Sequence, residues 1–298
     1  MNAGRPAPPA QRGVALIVSL LVVAIVAAMA LLFTARQQLW MRQIENRNNF
    51  SMAQGVAIAA INMTRLTLRD DARNNQVDHL LEPWTIPIPP VAVEEGRVGG
   101  RIAEMQGKLN LSNLLPAANT AVKEDDPKLQ RAASALSVST RDLASLLTQF
   151  VALRKREPNS TPELSELLRL AALSADKAET LKTRLVILPE KTPVNVNFAS
   201  AEALQASIEG LSSGDASSLV ARRTGNPYLS IEDFTKALPE SLRSKLDRQV
   251  VDVQSRYFMI YIDAWFNEMH MGFEALVQRN GKDTPSMLWM RRSSLSQS

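Results

Sequence analysis

Ser212, Asp263 and His270 stand in the order in which a serine hydrolase uses a nucleophile, an acid and a base. Gly210 and Gly214 around Ser212 complete a formal Gly-x-Ser-x-Gly elbow, "GLSSG". That elbow works only when a strand delivers the serine and a helix leaves it, because the sharp turn is what exposes the hydroxyl. The preceding "SAEALQASIE" has helical composition, and no parallel βα alternation surrounds it. Acyl transfer is therefore not expected. The second histidine, His79, is distant in sequence and reads as a surface residue of a linker, so the pair makes a poor metal signal. "MHMGF" reads as sheet core rather than a copper site, and the absence of cysteine removes thiolate ligands, cysteine nucleophiles and disulfides. Asp70-Asp71 and Asp125-Asp126 are the paired carboxylates, but a calcium ion takes about 6–8 oxygen ligands, and each pair reads as helix-end or loop acids. No catalytic residue and no small-molecule substrate are expected.

The segment "VNVNFASAEALQASIEGLSSGDASSLVARRTG" resembles a helix-hairpin-helix unit, whose glycine turn offers backbone amides to phosphate. That turn wants two glycines around a hydrophobic residue, and here it is Gly210-Leu211-Ser212. Arg222 and Arg223 could reach phosphates, or could simply solvate a helix end. Net charge is +4 over 298 residues with the basic residues scattered, which lends nucleic-acid binding no support. A membrane-anchored DNA-uptake protein is the alternative reading.

The elements that must position such residues begin with an address. Val14 to Ala35 is 22 uncharged residues, enough to cross a bilayer as a helix of about 20. The run is longer than the apolar core of an ordinary removed signal, roughly 7–15 residues, and Arg36, Arg42 and Arg47 follow it. It is expected to be retained, either as a plain uncleaved anchor or after a cut at Arg12-Gly13-Val14 that removes the basic leader. Arg5 and Arg12 on the other flank leave orientation undecided by charge.

Beyond the membrane the run free of proline to about Leu68 predicts a continuing helix. "EPWTIPIPPVAVEEG" predicts an extended linker, and "GRVGGRIAEMQ" a short strand. From about Gly107 to Asp247 the chain reads as an all-helical module. Leu143, Leu146, Leu147, Phe150 and Val151 have the spacing of one buried face, Ser160-Thr161-Pro162 and Ser174 mark helix starts, and Ser230 with Asp233 forms a capping signature. "GKLNLSNLL" and "TPVNVNFAS" echo one another, which implies two copies of one small helical unit. "YFMIYI", "HMGFEALVQRNGKD" and "SMLWMRRS" predict a closing meander that turns at Asn280-Gly281. The economical arrangement inserts the module into one antiparallel sheet packed on the N-terminal helix.

Taken in order, "RGVALIVSLLVVAI", "DDARNNQVDHLLEPW", "GRIAEMQGKLNLSNL", "TPVNVNFASAEAL" and "SRYFMIYIDA" resemble the type II secretion minor pseudopilins of the K type, over almost the whole chain. The resemblance implies an α+β, pilin-like fold: a long N-terminal helix on a small antiparallel sheet, with a large all-α domain of two SAM-like or helix-hairpin-helix-like units inserted. It implies a prepilin leader 1–13, a transmembrane part 14–35, a periplasmic continuation 36–68, a linker and first strand 69–106, an inserted helical domain 107–247 and C-terminal strands 248–298. It further implies prepilin-peptidase cleavage between Gly13 and Val14, methylation of the Val14 amine, an inner-membrane anchor with a periplasmic soluble part, and partners among the I- and J-type pseudopilins. Other pilin-like proteins usually carry Glu at mature position five, and here that position is Val18. A charge in the bilayer is costly unless paired, so an apolar residue there fits a subunit with nothing above it. The family is also associated with calcium and a disulfide. Here the corresponding stretch, "FVALRKREPNS", is basic and there is no cysteine, so the resemblance names no ligands.

Overall fold

One helix of 63 residues, α1 (Arg12–Asn74), runs through the computed structural model, which describes residues 12–93, 96–116, 120–157, 161–267 and 269–293. At 1.5 Å per residue it is about 95 Å long. Its far half buries Ala53, Ala57, Ile61, Thr64, Leu68 and Ala72 at intervals of three or four residues, which draws a single stripe along the helix. The alanines in that stripe let the sheet approach closely. The helix passes the expected end at Leu68 because Ala72 still faces the core and Asn75 N–H donates to the Asp71 carbonyl at 2.8 Å.

The proline-rich stretch corrects the linker expectation. Pro83–Thr85 is a single 3₁₀ turn, and Ile88–Val93 is strand β1, paired antiparallel to β2 (Gly96–Glu104). β1 lies at the sheet edge, where a proline costs no ladder hydrogen bond on the open side. Sequence alone could not distinguish an extended linker from an edge strand.

Next come β3 (Leu109–Asn110), α2 (Pro127–Leu136), α3 (Thr140–Arg156), α4 (Leu164–Leu170), α5 (Ala175–Arg184) and β4 (Leu185–Val186). A second set follows: β5 (Val194–Asn195), α6 (Ala201–Ser207), α7 (Ser213–Arg223), α8 (Ile231–Ala237), α9 (Glu240–Arg243) and β6 (Val251–Asp252). Each set has its own hydrophobic core, and each is closed by a two-residue parallel pairing, β3 with β4 and β5 with β6. The module is therefore helical with two small parallel bridges, where an all-helical one was expected. The echo in sequence is an echo in structure. Asn110 Oδ1 accepts from Ser112 N and Leu188 N, while Asn195 Oδ1 accepts from Asn197 N and its Nδ2 donates to the Val253 carbonyl. In both units an asparagine at the first bridge ties the chain's return to its start.

The α3 face is buried as expected at Leu143, Leu146, Leu147 and Phe150, with Val151 half-buried at its margin. Ser230 accepts from Asp233 N at 3.1 Å, the predicted cap. Ser174 occupies the cap of α5 without a side-chain hydrogen bond. α4 starts at Leu164 with Glu163 at its cap, past Thr161-Pro162, and Ser160 lies outside the described residues.

β7 (Tyr257–Phe266), β8 (Met269–Gln278) and β9 (Ser286–Ser293) complete an antiparallel sheet of order β1-β2-β7-β8-β9. The β8–β9 connection contains Asn280-Gly281, with Gly281 at φ +61, a conformation that favours glycine. Strand neighbours β2 and β7 are thus separated in sequence by both helical units. Ile102, Phe258, Ile260, Ile262, Phe273 and Val277 face α1, and the alternate residues face away.

Candidate functional site

Two regions carry the features that could serve function: the unpacked half of α1, and a buried polar junction where the helical units join the sheet. On α1, residues 14–47 are exposed, including Val14 at 64% and Val18 at 52%. Within this span the uncharged apolar run 14–35 has the length that matches a bilayer and not water. The bond between Gly13 and Val14 lies in the first turns of α1, and residues 1–11 of the expected leader lie outside the described residues. Gly13, Val14 and Val18 make no site together. They form one end of an apolar rod.

The junction is made of residues far apart in sequence. Glu104 ends β2, and its carboxylate accepts from Gln106 N at 2.5 Å, Gly107 N at 2.6 Å and Ser255 Oγ at 2.6 Å. Gln106 and Gly107 lead into the helical units and Ser255 leads out, so one carboxylate clasps both connections. Asp78 accepts from Ser255 N at 2.6 Å and pairs with Arg279, whose Nη1 reaches Asp71 at 3.2 Å. Arg279 also donates to the Ser255 carbonyl and lies 4.8 Å from the Phe258 ring centroid. Glu82 accepts from His79 N, Trp84 Nε1 and Asn75 Nδ2. Trp84 packs between Phe258 of the sheet and Phe198 of the second helical unit, at 5.3 and 5.7 Å between centroids. At Gly107 an added Cβ would meet the Phe198 backbone at 2.7 Å, so this connection requires glycine.

Burial is the largest influence on the junction carboxylates. It raises Asp78 above the usual carboxylate range, with Arg279 pulling back, and it raises Asp71 and Glu82 as well. Glu104 is pushed up to about 7 by burial, against the lowering pull of Ser255, Gly107 and Gln106. A carboxyl raised in the folded protein and ordinary when unfolded holds its proton in the fold while the unfolded chain loses it. Folding stability from Glu104 is then complete below pH 4.5 and falls as pH rises through about 7, a loss on the order of 3 kcal/mol. Chemical denaturation at pH 5 and pH 8 is expected to show this decline, and Glu104→Gln is expected to show a smaller one. An equal pH dependence in the two proteins would contradict the assignment.

The site residues expected from motifs are dispersed. Ser212 is the cap of α7: its Oγ accepts from Asp215 N and donates to the Asp215 carboxylate. The chain reaches it from α6 and not from a strand, which removes the elbow. Asp263 and His270 do meet, at 3.2 Å on the sheet's outward face, with Trp265 stacked on His270. Met271 and Phe273 are core. Nδ1 of His79, half-buried, accepts from Leu81 N. The helix-hairpin-helix outline is present at α6 and α7, with Gly210 at φ +79. Arg223, however, is buried and donates to the Val196 carbonyl at 2.6 Å, and Arg222 faces Asp233. One of the two proposed phosphate contacts is thus part of the fold.

The carboxylate pairs do not fit calcium. Asp70 pairs with Arg69, and Asp126 caps α2. Among the described residues, Asp71, Asp78 and Glu82 bring oxygens within 4.8 Å of one another, but Arg279 already lies among them as the counter-charge. This falls well short of about 6–8 oxygen ligands. Sequence reasoning missed the junction altogether. Its only local signal was an acid at the end of one strand and an arginine just past the end of another, Glu104 and Arg279.

A long helix packed along its far half on a five-stranded antiparallel sheet and bare and apolar over 14–35, with two helical units inserted between neighbouring strands, defines an anchored pilin-like protein. The family model for protein K of the type II secretion system matches residues 194–254, the second helical unit. The type II secretion system protein K of Pseudomonas aeruginosa is 30% identical over 92% of this chain and 90% of its own. A chain in the crystal structure of the GspK-GspI-GspJ complex of the enterotoxigenic Escherichia coli type 2 secretion system superposes with a TM-score of 0.69. It is 17% identical, and the match covers 85% of this chain and all of that one. The chain belongs to the type II secretion system protein K family.

Proposed function

We propose that this chain is a minor pseudopilin that initiates and caps the tip of a periplasmic pseudopilus exporting folded proteins, and that it is not an enzyme. The observation that carries the reading is the division of α1, whose far half is buried against the sheet while its first part offers the exposed, uncharged apolar run 14–35. Cleavage after Gly13 would leave Val14 as a methylated N-terminus, with 14–35 in the inner membrane. Residues 36–74 would continue the helix in the periplasm, the strands between 88 and 104 and between 257 and 293 would form the sheet, and 109–252 would form the inserted domain. The partners would be pseudopilins of the I and J types, in keeping with the complex from which the similar fold comes.

The tip role is supported by the bulk of the two helical units and by Val18, an apolar residue that leaves no charge to pair with the amine of a subunit above. A filament subunit must accept a copy of itself above, and a projection this large obstructs that. Overproduction is expected to shorten or reduce filaments, with immunolabel confined to their ends. Long filaments labelled along their whole length would sink the tip assignment.

A further inference from the structure

The face of the sheet turned away from α1 is not covered evenly. Near Tyr257 and Met259 it packs on Val186 and Leu188 of the first helical unit. Toward the β7–β8 turn it is open, and there the antiparallel register sets side chains in rows: Arg97 beside Trp265 beside His270, and Arg101 beside Tyr261 beside Glu274 beside Arg291. Between these rows lie Gly99 and Gly272 on either side of Asp263, so the arginines are not walled off from one another. Arg97 sits over the Trp265 ring at 5.8 Å and Arg101 over the Tyr261 ring at 4.0 Å. Stacking of this kind holds a guanidinium flat with its donors directed outward.

The charges on this face are unequally matched. Glu274 pairs with Arg291, and Asp263 is engaged by His270. Arg97 and Arg101 have no ion pair among the described residues, and both are exposed. Lys108, next to Arg101, is lowered by burial and then by Arg101 itself, as expected where positive charge accumulates. Arg97 and Arg101 are four residues apart on β2, a spacing of about 13 Å, which suits two carboxylates about four residues apart on one extended segment. Arginine, tryptophan and tyrosine are also the side chains that most often carry binding energy at protein interfaces.

We propose that the outward face of β2, with Arg97 over Trp265 and Arg101 over Tyr261, docks an acidic segment of the adjacent pseudopilin. The inference rests on the proposed function, which places neighbours below this chain. The open rows lie at the end of the sheet where Asn267 Nδ2 donates to Asn49 Oδ1 of α1, the end nearest the membrane. A capping subunit must meet its neighbours on that side.

The test co-expresses the tagged full-length chain with the I- and J-type pseudopilins and recovers it from detergent-solubilised membranes. Arg97→Glu with Arg101→Glu is expected to reduce partner recovery about tenfold or more while leaving thermal unfolding unchanged. Arg97→Gln with Arg101→Gln, which cannot repel, is expected to give a smaller loss. Raising salt is expected to weaken the wild-type complex and to affect the glutamine variant less. Wild-type recovery of partners with both variants equal to it would overturn the docking face and leave the function standing. Failure of the wild type to recover either partner would overturn the function and the face together.

Discussion

Arg279→Ala is expected to destabilise the periplasmic part by about 3–5 kcal/mol, the cost of stranding a buried charge by removing its partner. The Arg279 side chain is only 3% exposed, and it meets Asp78, itself 2% exposed, together with Asp71 and the Ser255 carbonyl. The corresponding fall in melting temperature is on the order of 10 °C for a protein of this size. The loss should be smaller at pH 5 than at pH 8, because Asp78 and Asp71 are already raised by burial and would protonate once the arginine is gone. Arg279→Leu combined with Asp78→Asn should recover part of it, since no charge is then left alone. Equal destabilisation at both pH values, with no recovery in the double variant, would show that Arg279 acts by packing on Phe258 rather than by charge.

Gly13→Asp is expected to abolish maturation, with only the full-length precursor accumulating in the membrane. The bond after position 13 lies between an N-terminal stretch carrying Arg5 and Arg12 and the uncharged run from Val14. A bulky charged side chain beside the scissile bond should not fit the peptidase, whereas Gly13→Ala, which adds one carbon, should be processed at least in part. Comparison of precursor and mature bands in membrane fractions measures this directly. Normal processing of the aspartate variant would separate the cleavage from Gly13.

The parts of this fold legible in the sequence are those with local periodicity. The uncharged run at Val14, the α3 face around Leu146 and Phe150, the Ser230 cap and the Asn280-Gly281 turn each depend on residues a few positions apart. The insertion was also legible, because a lone early strand needs late partners, and Gly96–Glu104 does pair along its whole length with Tyr257–Phe266. What was hidden depended on distance. β1 was masked by its prolines, which forbid a central strand but not an edge. Asp78, Glu104, Ser255 and Arg279 are spread over some two hundred residues, and nothing in any one neighbourhood marks them as partners. The hydrolase order Ser212, Asp263, His270 was legible and empty. Two of its members meet on the sheet, but the third is a helix cap.

The apolar helix from Val14 is expected to stay on the protein after the cut. Mass spectrometry of the N-terminus of the wild-type protein, purified from membranes, is predicted to find a chain beginning at Val14 and carrying one methyl group on its amine. An intact Met1, or a chain beginning beyond Ala35, would contradict it.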